Sequence, residues 1–354
     1  VPYYSVIGGW VIKYLVEYFR GNAKLLAEDG YFTDFISNGV STELCFVAFC
    51  AFTLIIIFAG VQNGIERVSK IMMPILIVLS VIIAVYSVTR PGALAGVKYF
   101  IVPNVKNFSW MTVVTAMGQM FYSLSIAMGI LITFGSYMKK DTAIEDSTRN
   151  VEIFDTGIAI MAGLMIIPAV FAFSGGDPDT LQAGPSLMFI TIPKVFQNMG
   201  FGTVIGIVFF VLVLFAAVTS SIALTESAVS TFEDELGWGR KKATVLVGVI
   251  MLALGSLSSL GYGPLAGIKI IGMQFLDLFD FLTNSVMMPI AALLTSLLVS
   301  RVVGIDKIEE EIIHGESAFR RKKVFVVMIK YLCPVFAIII LLSSVANALG
   351  WIKM

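Results

Sequence analysis

The stretch GQMFYSLSIAMG, from Gly118 to Gly129, places polar and small residues in the middle of an apolar run that extends from Trp110 to Tyr137. Serine hydroxyls compete for backbone hydrogen bonds and glycine lowers helix propensity, so the pattern favours a break over residues 123–129. A break within a bilayer would free backbone groups that suit a carboxylate at one end and a hard cation at the other. A close-packed helix interface of serine, glycine and alanine would explain the same composition.

A second polar group, FAAVTSSIALTES from Phe215 to Ser227, also lies within an apolar span. It carries Thr219, Ser220 and Ser221 in succession and then Thr-Glu-Ser at 225–227. Hydroxyl and carbonyl oxygens are the ligands that hard cations such as Na⁺ prefer. Helix packing, with hydroxyls bonded back to carbonyls of the preceding turn, is the competing interpretation.

Acidic residues mark two further positions. Asp155, in VEIFDTGIAIMAGLMIIPAVF, lies deep in an apolar span. Its charge there would cost about 2.5–3.5 kcal/mol on insertion scales, which indicates a functional residue. A structural ion pair is the alternative, although no basic residue falls at that depth in any span. Asp277 and Asp280 stand about one turn apart on one face at the end of another span, as gating groups or as interfacial residues.

The composition places these residues in a membrane protein. Of 354 residues, 58% are hydrophobic and 14% are charged, and the mean hydropathy is +0.92. A soluble domain of this size cannot bury so much apolar surface, and apolar runs of about 18 residues or more recur along the chain. We see no basic tract for nucleic acid and no nucleophile–base pair or metal cluster, so we expect neither a nucleic-acid partner nor an enzyme. The predicted apolar segments are 1–19, 41–60, 68–89, 109–138, 151–173, 201–232, 240–259, 273–301 and 324–350.

The loops between these segments predict an orientation. The long loops at 20–40, 90–109 and 174–200 are expected on the outer side, and the last two, rich in glycine and proline, as structured caps. Lys and Arg number fourteen in one set of alternate loops and seven in the opposite set. The richer set is therefore predicted to be cytoplasmic and the C-terminus to lie outside. The tetrapeptide MMPI occurs at 72–75 and 287–290, which indicates either an inverted repeat or a coincidence.

Four motifs in this order, GVQNGIERVSKIMMP, GQMFYSLSIAMG, AAVTSSIAL and FEDELGWGRKK, resemble the neurotransmitter:sodium symporter family in its bacterial branch. The resemblance covers all 354 residues. It implies an all-α polytopic membrane protein with a partial five-plus-five inverted-repeat (APC-type) bundle, from part of span three to span eleven. The predicted division is a transporter core at 1–301, a cytoplasmic loop at 302–323, and span eleven with the C-terminus at 324–354.

The resemblance also implies roles for particular residues. The positions that match solute-binding residues are Tyr4, Tyr122, Ser123, Ser125, Ala127, Met128, Ser220 and Leu224. The positions that match protein ligands of two sodium ions are Ser123, Asp155, Ala216, Thr219 and Ser220. Asp280 matches a residue of the outer gate. Asp234 and Tyr137 match residues of the inner gate. Gly64 and Pro74, with nine residues between them, match a hinge where the helix unwinds, for which a static kink is the alternative.

Two positions depart from the family pattern. Many relatives carry Asn where this chain has Asp155, and animal members bind chloride near a serine that corresponds to Ala159. Asp155 would then supply as a fixed charge what chloride supplies elsewhere, so we expect no chloride requirement. Ala127 stands where glycine is frequent, and its methyl group would narrow the solute pocket, a change worth about 1–3 kcal/mol of discrimination.

The expected function of the full-length protein is sodium-coupled symport of a small neutral amino acid, apolar or aromatic, by alternating access in the inner membrane. The alternatives are a sodium-independent facilitator or channel and a non-transporting remnant. In the register of the family, the first two spans and their broken helix are absent from this chain. We therefore expect the 354 residues alone neither to bind sodium stably nor to transport.

Overall fold

The chain folds into helices and turns. A computed structural model describes residues 1–177, 184–316 and 318–351, and within these ranges there is no β-strand, only an isolated bridge between Ile270 and Met273. The longer α-helices, labelled in chain order, are α1 Pro2–Phe19, α2 Gly39–Phe58, α3 Arg67–Val88, α4 Trp110–Ser123, α5 Ile130–Ser136, α6 Ile144–Ser174, α7 Gly202–Leu236, α8 Arg240–Leu260, α9 Met288–Leu297, α10 Ile305–Gly315 and α11 Cys333–Ala348.

The apolar helices agree with the predicted segments. Seven continuous helical stretches in the described ranges are long and apolar enough to cross a membrane. These stretches are Gly39–Phe58, Val61–Val88, Ile144–Ser174, Gly202–Leu236, Arg240–Leu260, Phe275–Val303 and Lys322–Ala348. The other two predicted segments are α1, which contains Lys13 and Glu17, and 109–138, which is divided between α4 and α5. The prediction of an all-helical membrane protein is confirmed.

All three long loops contain short helices, including the two that were predicted to be structured caps. Ala93–Ile101 lies in the loop 90–109, and Ile192–Gln197 lies in the loop 174–200. Residues 178–183 of that second loop are outside the described residues, and so is residue 317 in the predicted cytoplasmic loop. The C-terminus, which is predicted to lie on the outer side of the membrane, includes residues 352–354. These three residues also lie outside the described residues.

Five of the described helical segments are π-helices, which insert an extra residue into a turn and are rare outside functional sites. These segments are Val61–Glu66, Leu187–Thr191, Phe281–Met287, Leu298–Val303 and Met328–Leu332. Three of them interrupt the last two long apolar stretches. Widened turns loosen the regular hydrogen-bond ladder, so these spans are less uniform than their hydropathy alone indicates.

By compactness the chain divides into two units. Unit 1 comprises Val1–Pro103 and Ile158–Leu276, and unit 2 comprises Asn104–Gly157 and Asp277–Met354. This grouping is based on packing, whereas the predicted boundaries at 301 and 323 separate the transporter core, the cytoplasmic loop and span eleven. Those boundaries stay a prediction.

Unit 1 is built on α1, which packs against α2, α7 and α8. Gly9 allows the closest approach, because a Cβ atom there would lie 2.7 Å from the backbone nitrogen of Phe46 on α2. One side of α1 carries aromatic residues that form a buried core with the short helices Tyr31–Ser37 and Leu187–Thr191. In that core the Tyr14 hydroxyl donates a 2.7 Å hydrogen bond to the Phe189 carbonyl, and the Tyr14 ring stacks on Phe210.

Unit 2 has an apolar cluster of its own, where α4, α9 and α11 meet. Its buried members are Phe121, Met288, Ala292, Ala337 and Ile340. Contact with this cluster fixes the last turn of α4, immediately before the predicted break.

Candidate ion and solute site

The helix break lies where the sequence predicts it. α4 ends at Ser123 and α5 begins at Ile130, so residues 124–129 are irregular. The prediction of a break at 123–129 is thus confirmed, except that Ser123 itself is the last helical residue. The backbone φ is positive at Ser125 (54°), Ala127 (61°) and Gly129 (81°). Positive φ in a residue with a side chain costs about 1–3 kcal/mol, and such strain concentrates at functional sites.

Two predicted sodium ligands in unit 2 are in direct contact. The Ser123 hydroxyl donates a 2.7 Å hydrogen bond to Oδ1 of Asp155, which lies about three turns into α6. No salt bridge joins Asp155 to a basic side chain within the described ranges, so the alternative of a structural ion pair is not realised there. A hydroxyl and a carboxylate oxygen therefore meet at the end of a broken helix, where the carbonyl groups of Met120, Phe121 and Tyr122 accept backbone hydrogen bonds from the turn that follows.

The remaining residues of the break differ in their surroundings. Tyr122, the predicted lid, is 38% exposed in unit 2. Ala127 and Met128, predicted to line the solute pocket, pack against the apolar cluster of unit 2, while Ser125 is half-buried. The left-handed turn at Ala127 is therefore held by apolar packing around its methyl group.

The second group of polar residues lies on α7 in unit 1. Ala216, Thr219 and Ser220 share one face of this helix, because they are three and four residues apart. The Thr219 hydroxyl donates to the carbonyl oxygens of Phe215 and Ala216, each at 3.0 Å. Two predicted ligands of the second sodium ion, the Ala216 carbonyl and the Thr219 hydroxyl, are thus adjacent. The same Thr219 hydrogen bonds are also the bonds back to the helix that the competing interpretation predicts, so this geometry fits both interpretations.

Tyr4 on α1 reaches the same face of α7. Its hydroxyl interacts with the side chain of Ser220. Both residues are predicted solute-binding positions, and both belong to unit 1. Leu224, one turn beyond Ser220, is half-buried, as expected of a residue beneath an apolar part of a pocket.

The other hydroxyls of this group are structural. Ser221 and Thr53 on α2 are 3.1 Å apart, hydroxyl to hydroxyl, and both are buried. The Thr225 hydroxyl donates to the Ser221 carbonyl at 2.7 Å. Ser221 and Thr225 therefore make structural contacts, whereas Thr219 and Ser220 are the predicted ligands. Both pairs occur in one short stretch of α7 because successive residues of a helix point in different directions.

Glu226 makes an ion pair that the sequence interpretation missed. Its fully buried carboxylate accepts two hydrogen bonds from Arg240 at the start of α8, at 2.9 and 2.6 Å. The Arg240 Nε also donates to the Ile57 carbonyl at the end of α2, at 3.0 Å. An acid inside an apolar span and an arginine fourteen residues later were visible in the sequence, but Arg240 was assigned to a loop.

The predicted gate residues occupy helix ends. Asp280 accepts a 2.6 Å hydrogen bond from the Asn284 side chain one turn later in unit 2. Tyr137 caps α5, with its ring 6.1 Å from that of Phe134. Asp234 lies exposed in the last turn of α7. Their roles as gates stay predictions.

The predicted hinge has an irregular backbone. Gly64 lies in the π-helix Val61–Glu66, and Pro74 lies inside α3. A Cβ atom at Gly64 would be only 2.2 Å from the Ile56 carbonyl oxygen, so no side chain fits there without rearrangement. The π-helix begins after Gly60, whose φ of 87° and ψ of 178° are accessible almost only to glycine. Irregular helix is thus present at this end of the span, whether it unwinds or stays kinked.

Comparisons with known proteins agree with these features. The model of the sodium:neurotransmitter symporter family matches residues 14–351. The Bacillus subtilis (strain 168) protein named uncharacterized sodium-dependent transporter YhdH is 34% identical over 349 residues, which is 98% of this chain and 76% of that protein. An uncharacterized sodium-dependent transporter of Haemophilus influenzae (strain Rd) is 30% identical over 355 residues, 97% of this chain and 76% of the relative.

A solved structure shares the fold. The crystal structure of MhsT in complex with L-phenylalanine superposes with a TM-score of 0.83 at 33% identity, covering 97% of this chain and 78% of MhsT. The family match and this similarity define a multi-pass membrane protein of the sodium-coupled transporter class. The chain belongs to the sodium:neurotransmitter symporter family.

Proposed function

We propose that the protein carries a small neutral amino acid, apolar or aromatic, across the membrane together with sodium, by alternating access. The observation that carries this proposal is the hydrogen bond between Ser123, at the end of α4, and Asp155 on α6. It joins an ionisable side chain inside an apolar span to the irregular segment 124–129. An acid at that depth without a basic partner in the described ranges is best explained by a cation that binds reversibly.

The first sodium ion would bind between Ser123 and Asp155. Their oxygens are already 2.7 Å apart, so both can face one cation once the serine proton turns away. A carboxylate, a hydroxyl and the carbonyl groups at the end of α4 are the hard oxygen ligands that such a cation needs. If the carboxylate of the solute shares this ion, each ligand raises the affinity for the other, and this coupling is reciprocal.

The second sodium ion would bind at α7, with the Ala216 carbonyl and the Thr219 and Ser220 hydroxyls as ligands. The first two oxygens are 3.0 Å apart and belong to one helix, so they form a rigid part of the site. On sodium binding the Thr219 hydroxyl keeps its donor bond to the helix and offers a lone pair to the ion. Tyr4, which interacts with Ser220, would bind the solute carboxylate beside this site.

The solute class is proposed from apolar residues at positions that match solute-binding residues of the family. Ala127, Met128 and Leu224 offer methyl and thioether surface and no charge for a solute side chain. The complex of MhsT with L-phenylalanine supports an apolar or aromatic amino acid, since MhsT is 33% identical to this chain. Asp155 would supply the fixed negative charge of the first site, and we propose that transport needs no chloride.

Uptake by proteoliposomes that contain the full-length protein tests the proposal. L-[³H]phenylalanine uptake should require a sodium gradient and should persist when gluconate replaces chloride. Asp155→Asn should raise the sodium concentration for half-maximal uptake at least about tenfold, which corresponds to about 1.4 kcal/mol of ion binding. Asp141→Asn, an exposed loop acid, is the matched control and should leave the sodium dependence unchanged.

The other outcomes separate the alternatives. Sodium-independent uptake would favour a facilitator or channel, and no uptake or sodium-dependent binding of any neutral amino acid would favour a non-transporting protein. An absolute chloride requirement would refute the fixed-charge role of Asp155.

We propose that the loop between α9 and α11 lies on the cytoplasmic side of the inner membrane. This loop belongs to the set of loops that carries fourteen basic residues. Single cysteines introduced at Lys307 and at Lys24 in a cysteine-free background report the two sides. A membrane-impermeant maleimide should label the cysteine at position 24 in intact cells and the cysteine at position 307 only after permeabilisation.

A further inference from the structure

The last two apolar spans carry basic side chains within their hydrophobic surface. Arg301 lies in the π-helix Leu298–Val303, and Lys330 lies in the π-helix Met328–Leu332. Lys323 precedes Lys330 by seven residues, about two helical turns. All three side chains are exposed, and none forms an ion pair with a carboxylate of the described residues.

Arg301 and Lys330 lie on neighbouring elements of unit 2, because the two π-helices that hold them pack against each other. Lys330 is eight residues beyond Lys322, so it lies about 12 Å along the helix from the start of that helical stretch. Two positive charges on neighbouring apolar elements repel each other, and an accompanying anion would offset that cost.

The two segments that hold these basic residues contain no acidic residue. There is no Asp or Glu in residues 288–303 or in residues 322–354. In the connecting loop, Glu309 forms an ion pair with Lys322. Glu316 accepts hydrogen bonds from the backbone N–H groups of Glu145 and Asp146. Neither the two segments nor these two loop acids provide a counter-charge for Arg301 and Lys330.

The surroundings identify the kind of molecule that supplies it. Val302 is 74% exposed, Tyr331 65% and Val327 49%, so the basic groups stand on an exposed apolar surface. Tyrosine is enriched where acyl chains meet headgroups. A soluble anion would leave these apolar side chains uncovered, whereas a phospholipid brings its phosphate to the basic groups and its acyl chains to the apolar residues.

We propose that Arg301, Lys323 and Lys330 form a binding site for an anionic phospholipid. The long lysine and arginine side chains extend towards the phosphate layer. The guanidinium of Arg301 binds two phosphate oxygens, and the lysines add charge. The acyl chains cover Val302, Val327 and the ring of Tyr331. Basic groups between membrane helices are a known type of site for such headgroups.

Native mass spectrometry of the purified chain tests this site. The protein is equilibrated in detergent with equimolar dioleoyl-phosphatidylglycerol and dioleoyl-phosphatidylcholine, and the ratio of the two lipid adducts is measured. The wild type should retain phosphatidylglycerol preferentially. R301Q/K330Q should lower that preference at least about tenfold, because each basic group near the headgroups contributes about a factor of five. K242Q/K307Q, which removes two exposed lysines from α8 and α10, is the control with the same change of charge and should match the wild type.

Further variants keep the result interpretable. R301K/K330R preserves both charges and should keep the preference. If R301Q/K330Q cannot be purified, R301Q and K330Q alone should each lose part of it. The proposal is overturned if the wild type shows no preference, if the glutamine variants keep it in full, or if K242Q/K307Q loses it equally. Displacement of phosphatidylglycerol by inorganic phosphate would also overturn it, since the site would then be one for a free anion.

Discussion

The ion pair between Glu226 and Arg240 provides a prediction whose magnitude follows from its geometry. The pair has two hydrogen bonds, at 2.9 and 2.6 Å, and Glu226 is fully buried while 23% of the Arg240 side chain is exposed. Arg240 also binds the Ile57 carbonyl at 3.0 Å, so it joins three helices of unit 1. Glu233 lies 3.6 Å from the same guanidinium.

The two single variants should differ in their cost. Arg240→Met removes the charged partner that donates two hydrogen bonds to the buried Glu226 carboxylate, which costs about 3–4 kcal/mol of stability. Glu226→Leu leaves Arg240 partly exposed and within reach of Glu233 and water, so we expect about 1 kcal/mol. The double variant replaces the pair by two apolar side chains and should also cost about 1 kcal/mol. The coupling energy of the pair is then about 3 kcal/mol.

Unfolding of the detergent-solubilised protein measures these differences. The loss of helical circular dichroism is followed for the wild type, the two single variants and the double variant, with Lys241→Met as control. Lys241 is the exposed neighbour of Arg240, and its substitution should change stability by less than about 0.5 kcal/mol.

The order of stabilities decides the reasoning. Arg240→Met should be the least stable protein, and adding Glu226→Leu to it should restore stability. Equal costs for the two single variants, or a double variant as unstable as their sum, would refute the view that the buried carboxylate's loss of its charged partner is the source of the instability.

Three other contacts give predictions that unfolding experiments can check. Gly64→Ala should destabilise the protein by more than the small gain that alanine usually brings to a helix, because its Cβ atom would be 2.2 Å from the Ile56 carbonyl; equal or greater stability would show that this π-helix relaxes freely. Tyr14→Phe should cost about 1–3 kcal/mol, since it leaves the buried Phe189 carbonyl without its 2.7 Å donor, and a neutral effect would mean that water replaces the hydroxyl. Glu316→Ala removes the acceptor for the first N–H groups of α6 and should cost about 1 kcal/mol, whereas Glu316→Gln should retain part of the effect; identical losses would exclude capping.

The sequence was informative about the helices because hydropathy and helix-breaking residues act locally. Runs of apolar residues long enough to span a bilayer predicted the positions of the helices, and the polar residues near Ser123 predicted the break to within one residue. The π-helices were not predicted. An inserted residue in a turn depends on packing between helices and leaves no periodic signal in one segment.

Some contacts of the candidate site could be predicted from local sequence, whereas others join residues that are far apart in the chain. Proximity of Ala216 and Thr219 follows from helical spacing alone, and the structure has their oxygens in contact. The hydrogen bond of Ser123 to Asp155 joins residues 32 apart, so spacing could not predict it, although the family resemblance did place both at one ion. The pairing of Glu226 with Arg240 was missed, because hydropathy assigns a basic residue near a span to the loop, while its long side chain can reach a buried acid.

The strained backbone of the break explains why apolar packing around it matters for ion binding. Ser125 and Ala127 both have positive φ, which costs about 1–3 kcal/mol for each residue and must be offset by the rest of the fold. Ala127 and Met128 contact the apolar cluster built on Phe121 and Met288, so burial of this surface offsets part of the strain. Such a segment is held before any ion arrives, so the Ser123 and Asp155 oxygens would lose little freedom on binding the proposed sodium ion. Selectivity for sodium would then depend on residues that never touch the ion, because they fix the geometry of the break.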